Sequence, residues 1–476
     1  MNNTETAKSL VNEYAQGAEK LALEIYNFAE LNFREVKSAE ATAKALEAEG
    51  FSITRKYCGI NTAFCAEYSY GSGGVSIGYL GEYDALSGLS QKAATAQKCP
   101  VTEGAPGHGC GHNLLGAGSF AAAAALKKYI ETNKINATVK YFGCPAEEDG
   151  GGKTHMAKAG AFDNLSAIFT WHPGNSSYVS GCGSLAVTGI LYKFSGIASH
   201  AAATPFVGRS ALDAAELMSV GCNYLREHII PEARLHYAYR DVGGTAPNVV
   251  QASAAVHYYI RAPHVDEMLN IAKRVDDVAR GAALMTGTNL NIQIIDGVSD
   301  YLPNKILSEL LAECMQEVGA PSFDCNDRAL AQQFEDTISP FEREENLTSD
   351  YKSINKGNDY FKGKLLDDSV APLYYNAAYA QPGSTDVGDV SYCVPTAQCN
   401  YACFALGTGG HSWQMAAQAG SSIGIKGMLK AAEALCLAGI KSIASPQILA
   451  SAKQELAHNA QGGYICPMPD GVNPEF

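Results

Sequence analysis

Apolar positions recur at helical spacing through Leu10, Val11, Tyr14, Ala18, Leu21, Ile25 and Phe28, in a run over residues 5–49 that closes on Gly50, a residue suited to a helix C-cap. Beyond it, the short apolar stretches Gly74–Leu80, Ala137–Phe142 and Leu165–Thr170 predict strands, and long Ala-rich helical patterns such as Leu114–Lys128 lie between them. That alternation predicts an α/β fold, a parallel or mixed sheet flanked by helices, with its working loops at the strands' carboxyl ends. From residue 184 the order changes to strand 184–195, helix 209–228, strand 234–242, strand 249–261, helix 264–287 and strand 289–296. This βαββαβ series is the order of a ferredoxin-like sandwich. Alternating signals return at Asn304, and Ser422–Leu437 reads as a further helix. The expected organisation is a discontinuous main domain, residues 1–183 and 299–476, interrupted by a smaller unit at 184–298. Residues 321–370 are polar and loop-rich, which predicts a long functional loop or a locally disordered segment.

Composition narrows the function classes. With 476 residues, 46% apolar and 18% charged, the chain is an ordinary globular one, long enough for two or three domains. Its 35 basic and 49 acidic residues give a net charge of −14, and no Lys/Arg cluster offers a basic face, which argues against nucleic acid and anionic lipid as partners. Leu114–Leu126, the longest small-and-apolar stretch, contains Gly and Ser and falls short of the roughly 20 residues a bilayer requires. The 14 cysteines are scattered from Cys58 to Cys466 without C-x-x-C pairs, behind an N-terminus lacking the basic and apolar regions of a secretion signal. Reduced thiols in the cytoplasm are therefore expected.

Candidate chemistry sits in loops after separate predicted strands. In APGHGCGHNLLGAG (105–118) one glycine separates Cys110 from His112. Thiolate and imidazole suit Zn²⁺ and its neighbours, although a Gly-rich loop with a buried Cys reads the same way. His108, nearby, reads better as a loop residue than as a ligand. Pro145-Ala146-Glu147-Glu148-Asp149 closes the ATVKYFGC strand. Adjacent carboxylates repel unless a cation neutralises them, and one can bind metal while its neighbour serves as general base; the alternative is a solvated acidic turn. His172 ends the apolar LSAIFTWHPG run, and His411 follows Gly409-Gly410 after the strand-like Tyr401–Leu406. Glu82 and Asp84, in VSIGYLGEYDALSGLSQ, could ligate a metal, orient an imidazole or cap the following turn. His200, in a small-residue loop of the inserted unit, is either a surface residue or a group that reaches a substrate from another domain. GGGK at 150–153 lacks the spacing of a phosphate-binding loop, and no G-x-S-x-G nucleophile elbow occurs.

Taken in order, FAELNFREVKSAEATAKAL, GEYDAL, GHGCGHN, PAEED, WHPG, GIASHAAATP, GGTAPNVV, GSTDVGDVSY and GTGGHS span essentially the whole chain. Together they resemble the M20 family of metallopeptidases, in particular its amidohydrolase branch and the aminobenzoyl-glutamate utilization group within it. The resemblance implies a metallohydrolase whose inserted ferredoxin-like unit acts as lid and dimerisation domain. It further implies two divalent ions per chain, Zn²⁺ or Mn²⁺, held by Cys110, His112, Glu148, His172 and His411, with one group shared. Glu147 matches the general base and Asp84 the acid that orients the ligands. His200 and Asn248 match groups that approach the substrate, commonly across a dimer interface, and Arg261 matches a partner for the substrate carboxylate. Two departures stand out. Many members carry His-x-Asp where this chain has Glu82-x-Asp84, with Cys110 taking the place of the missing ligand. Ser87 and Asn113 replace the Pro and Asp usual in the amidohydrolase branch. The implied reaction is cleavage of the amide in an N-acyl or N-aroyl amino acid by a homodimer. The alternatives are a dipeptidase with the same site, or a subunit that needs a homologous partner.

Overall fold

The N-terminal helix α1 (Asn3–Phe28) begins at a capping box in which the Asn2 side chain and Glu5 each satisfy the other's backbone N–H. It lays Ala7, Val11, Ala18, Ala22 and Ile25 against the core as one stripe. The computed structural model describes residues 2–472. The helical run over 5–49 is broken: α1 stops at Ala29, whose backbone is left-handed (φ 43°), and α2 (Val36–Ala48) restarts after a loop. The cause is non-local, because Glu30, Asn32 and Glu35 in that loop bond to Ala85, Asp149 and Ala146.

The strands β1 (Ser52–Arg55), β2 (Phe64–Tyr70) and β3 (Val75–Glu82) lead to helix α3 (His112–Asn133). Then come β4 (Ala137–Cys144), α4 (Gly152–Lys158), β5 (Ala167–Gly174), β6 (Tyr178–Val179) and β7 (Cys182–Ser184). The next six elements are β8 (Ala186–Ser195), α5 (Ala211–Leu225), β9 (Arg234–Asp241), β10 (Ser253–Ala262), α6 (Val265–Thr286) and β11 (Asn289–Val298). The remainder comprises α7 (Lys305–Val318), α8 (Cys325–Glu335), α9 (Pro340–Ile354), β12 (Asn376–Gln381), α10 (Val387–Cys393), β13 (Thr396–Ala402), α11 (Trp413–Ala419), α12 (Ser422–Ala444) and α13 (Pro446–Asn459).

The main sheet has the order β1-β2-β4-β3-β5-β13-β6, with β4, β3, β5 and β13 parallel. Alternate residues of these strands serve opposite faces. Ile77, Tyr79, Val139, Tyr141, Phe169, Trp171, Cys399 and Tyr401 join the cluster built with α1, α3, α7 and α12. Leu80, Phe142, Cys144 and Ile168 join Met156, Val387 and Val390 of α4 and α10 on the other side. Helix α3 is buried from His112 to Leu126, and its small residues let it lie close on the strands: a Cβ on Gly116 would stand 2.6 Å from the Glu82 carbonyl oxygen. The inserted segment forms an antiparallel sheet, β11-β8-β10-β9, whose buried side chains pack with those of α5 and α6 in a cluster of their own. Strand β9 is its edge and is exposed along most of its length.

Two local expectations differ from the structure. Residues 321–370 carry α8 and α9, each started by a capping box, at Asp324 with Asp327 and at Ser339 with Glu342. Their buried positions are few (Ala331 and Phe334; Leu347, Tyr351 and Ile354), so the helical period is masked by polar neighbours. The strand before His411 is Thr396–Ala402 and not Tyr401–Leu406, because its core face alternates Ala397, Cys399, Tyr401 with polar Gln398 and Asn400. Among the described residues no helix is long and apolar enough to cross a membrane, and all 14 cysteines are free.

Candidate metal centre

Strands β4 and β5 lie on either side of β3, although the chain visits them as β3, β4, β5. The connection after β3 runs to one side of it and the connection after β4 crosses back to the other, so the loops at the carboxyl ends part around β3. Asp84 follows β3, Glu147 and Glu148 follow β4, His172 lies near the end of β5, and His411 follows β13. Cys110 precedes α3, and His112 is its first residue. Gly111 between them has φ +82°, and a Cβ there would meet Pro173 at 2.8 Å and Phe404 at 3.1 Å, so only glycine fits this turn. The acidic loop is pinned on both sides of Glu147. The Ala146 N–H donates to Glu35 Oε1 at 2.9 Å, and the Glu148 N–H donates to Asp84 Oδ2 at 2.9 Å. Ala146 itself takes a left-handed backbone (φ 56°), a local strain that these two bonds sustain.

The chemistry-bearing atoms converge. Cys110 Sγ stands 3.3 Å from His172 Nε2, and His411 Nε2 3.4 Å from Glu148 Oε2. Around one ion with bonds of about 2.0–2.3 Å, neighbouring ligand atoms stand roughly 3.0–3.6 Å apart, and both pairs fall in that range. Cys110, His112 and His172 form one group whose ligand atoms all lie within 4.8 Å of one another; Cys110, Glu148 and His411 form a second. Cys110 belongs to both.

The imidazoles are set for a cation by their other nitrogens. His112 Nδ1–H donates to Asp84 Oδ1 at 2.8 Å, and His172 Nδ1–H donates to the Pro173 carbonyl at 2.8 Å, which turns each Nε2 toward the cluster. His112 Nε2, Glu82 Oε2 and Glu148 Oε1 are buried without a hydrogen-bond partner. Unpaired polar atoms buried this close together are costly, and cations bound among them would satisfy them. The residues present therefore fit the divalent ions that the motifs imply.

Electrostatics agree with that fit. Burial, reinforced by Glu82, holds the Glu147 carboxyl well above its usual range. Burial also pushes Glu148 up to about 7. Burial would depress His112, but Cys110, Asp84 and Glu82 outweigh it and hold the imidazole well above its ordinary value. Burial and the neighbouring His112 push His172 down to about 4. A bound cation would favour the charged carboxylates and reverse the upward shifts of Glu147 and Glu148.

Sequence reasoning leaves two residues without a role, Lys153 and Asp386. Lys153, in the GGGK stretch, is fully buried, with Nζ 2.7 Å from Glu82 Oε1 and 2.5 Å from Asp386 Oδ1. A further buried acid beside three others requires a countercharge, but the sequence carries no local signal for this lysine, since its partner lies 233 residues away. His108 is the loop residue expected: it is buried with Nε2 3.0 Å from the Ile25 carbonyl.

A cleft of about 1310 Å³ opens over the cluster, bordered by Glu147, His172, Arg261 and His411. Arg261 Nη1 donates to Ser384 Oγ at 2.7 Å at its rim. His200 and Asn248 are not brought there. They stand together on the exposed side of the inserted unit, where the Ala201 N–H donates to the Asn248 carbonyl, and neither lines the cleft.

Comparison with known proteins gives concordant results. Residues 79–359 match the family described as Peptidase family M20/M25/M40. The chain is 42% identical to a subunit of the p-aminobenzoyl-glutamate hydrolase of Escherichia coli over 459 residues, 95% of each chain. It is 30% identical to the mouse Xaa-Arg dipeptidase, over 94% of this chain and 91% of that one. In fold it is similar to a Bacillus subtilis protein described as a dinuclear metal binding peptidase from M20 family, with a TM-score of 0.54 at 15% identity, covering 90% of this chain and 99% of that chain.

Proposed function

The chain belongs to peptidase family M20/M25/M40 and is a hydrolase of amide bonds, and we propose that it cleaves N-acyl or N-aroyl amino acids, p-aminobenzoyl-glutamate foremost. One observation carries this reading: five potential ligands from four loops meet in two groups that share Cys110, and Glu147 stands beside them, grouped with Glu82 and His112. Divalent ions there, Zn²⁺ or Mn²⁺, supply Lewis acidity toward the scissile carbonyl and lower the pKa of water. Cys110, His112, Glu148, His172 and His411 hold them, and Asp84 keeps the His112 tautomer. Glu147 takes the proton from the attacking water and returns it to the leaving amine. Arg261, lining the same cleft, holds the substrate carboxylate by its guanidinium fork.

His200 stabilises the oxyanion and, with Asn248, reaches the cleft of a second copy of this chain. Their exposure on the inserted unit, together with the exposed edge strand β9 of the same unit, supports a homodimer in which that unit is both lid and interface. The free cysteines support a cytoplasmic setting. Identity favours the aminobenzoyl-glutamate reading over a dipeptidase one, 42% against 30%. Because the Escherichia coli relative is named as one subunit of its hydrolase, a homologous partner is part of the test.

The experiment is turnover by the purified chain alone, loaded with Zn²⁺ or Mn²⁺, on p-aminobenzoyl-glutamate, hippurate and Xaa-Arg dipeptides side by side, with elemental analysis of the same samples. Release of aminobenzoate with two ions per chain supports the proposal. Preference for the dipeptides replaces its substrate, and a chain that holds no metal overturns it. Activity that appears only with a homologous second subunit makes this chain a component of a larger enzyme.

A further inference from the structure

Glu82 is the carboxylate of the cluster to which the reaction above gives no task. It closes strand β3 and is 2% exposed. Its Oε1 accepts from Lys153 Nζ at 2.7 Å, and the lysine is anchored twice on Asp386: Nζ to Oδ1 at 2.5 Å, and its backbone N–H to Oδ2 at 2.8 Å. Lys153 sits on α4 and Asp386 precedes α10, helices that pack together on the far side of the sheet from α3, so the ammonium cannot swing away. The other oxygen, Oε2, is buried, accepts no hydrogen bond, and stands 3.2 Å from His112 Nε2.

In the neutral imidazole that a metal requires, both atoms of that contact are acceptors. Nδ1 is committed to Asp84 at 2.8 Å, so in that neutral form the Nε2 lone pair faces the carboxylate oxygen. Two acceptors this close repel unless a cation lies between them. Their separation also matches two neighbouring ligands of one ion, roughly 3.0–3.6 Å. Glu82, His112 and Glu147 form a third group whose potential ligand atoms lie within 4.8 Å of one another.

We propose that Glu82 Oε2 is an additional ligand of the ion held by His112, and that Lys153 is the positioning residue that keeps Glu82 monodentate by occupying its other oxygen. The proposal rests on the metal-site reading above. It accounts for the departure at the first motif. A carboxylate in place of a neutral imidazole adds a negative charge to a buried site, and Lys153 balances that charge without entering the site. It also accounts for the GGGK stretch, whose lysine is turned inward on an acid and not toward a phosphate.

The test compares the wild-type chain with Glu82→Gln, Lys153→Met and the double variant by equilibrium dialysis against buffered Zn²⁺ and Mn²⁺, read by elemental analysis. Gln keeps the side-chain volume and an oxygen for Lys153. The expected result is two ions per wild-type chain, with one of them weakened by about tenfold or more in Glu82→Gln while the other is retained. Lys153→Met weakens the same ion, and adds nothing in the Glu82→Gln background, because it acts through Glu82. Wild-type isotherms in Glu82→Gln overturn the proposal and leave the metal-site reading intact, whereas a wild-type chain without metal overturns both. Should a variant fail to fold, anomalous diffraction from the Mn²⁺-loaded wild-type chain decides: Glu82 Oε2 within about 2.5 Å of an ion supports the assignment, and a clear gap overturns it.

Discussion

The two regions that the motifs tie to catalysis are built to opposite specifications. At the carboxyl edge of the main sheet, His112, Asp84 and Glu82 are almost wholly removed from solvent, and each is fixed by a bond from another loop. On the inserted unit, His200 and Asn248 are exposed, and the His200 ring is oriented by the N–H groups of Ala202 and Ala203 donating to its Nδ1, 3.2 Å each. A neutral ring whose Nδ1 accepts has Nε2 as its donor. A single chain thus gathers all the proposed metal ligands in one place, whereas the group proposed for the developing oxyanion is displayed outward, where a second copy would have to use it.

The sharpest attack on this contrast is at Glu147. Its replacement by Gln should lower kcat by about 10²–10⁴ without changing the metal content, measured by steady-state turnover alongside elemental analysis. His200→Ala should cost about 10²–10³ in kcat. Mixing it with Glu147→Gln under conditions that exchange subunits should restore part of the activity, since one mixed site then has both groups intact. If mixed dimers form and stay inactive, His200 does not serve its partner. Arg261→Met should raise KM roughly 10–100-fold for substrates with a free carboxylate and change kcat little, because it removes a charge-assisted contact made equally before and during the reaction.

The smallest effect probes the buried half alone. Burial pushes His108 down to about 4, against an ordinary 6.5, so between those values the unfolded chain binds a proton that the folded chain refuses. Stability therefore falls as pH drops from 6.5 toward 4. His108→Gln should remove that share of the slope, about 1 kcal/mol between pH 6.5 and 5.5, measured by urea unfolding of the metal-free chain at several pH values.

What can be read in advance follows from how local each signal is. The six elements of residues 186–298 are legible within a few residues at most boundaries, because β8, β10 and α6 each carry their own two- or 3.6-residue period. The loops bearing Cys110, Glu148, His172 and His411 are legible as strand-ending motifs. The break between α1 and α2 is not, since Glu35 leaves the helical register to hold the Ala146 N–H 111 residues away. Helices α8 and α9 are hidden because a narrow buried stripe is outnumbered by charged neighbours. Lys153 escapes for a related reason: its partner Asp386 lies 233 residues on, and only folding shows that the two meet.

The position of β13 has a consequence for biosynthesis. This strand supplies the sixth position of the main sheet, between β5 and β6, and is made only after the whole inserted unit. On the ribosome, residues 186–298 can complete their own contiguous sheet and helices while the surrounding domain still waits for Thr396–Ala402 and for His411. The nascent chain therefore carries a finished small module within an unclosed larger one, with the flank of β5 unpaired until late. That interval exposes a long apolar strand edge, and it is when this protein most needs protection from aggregation.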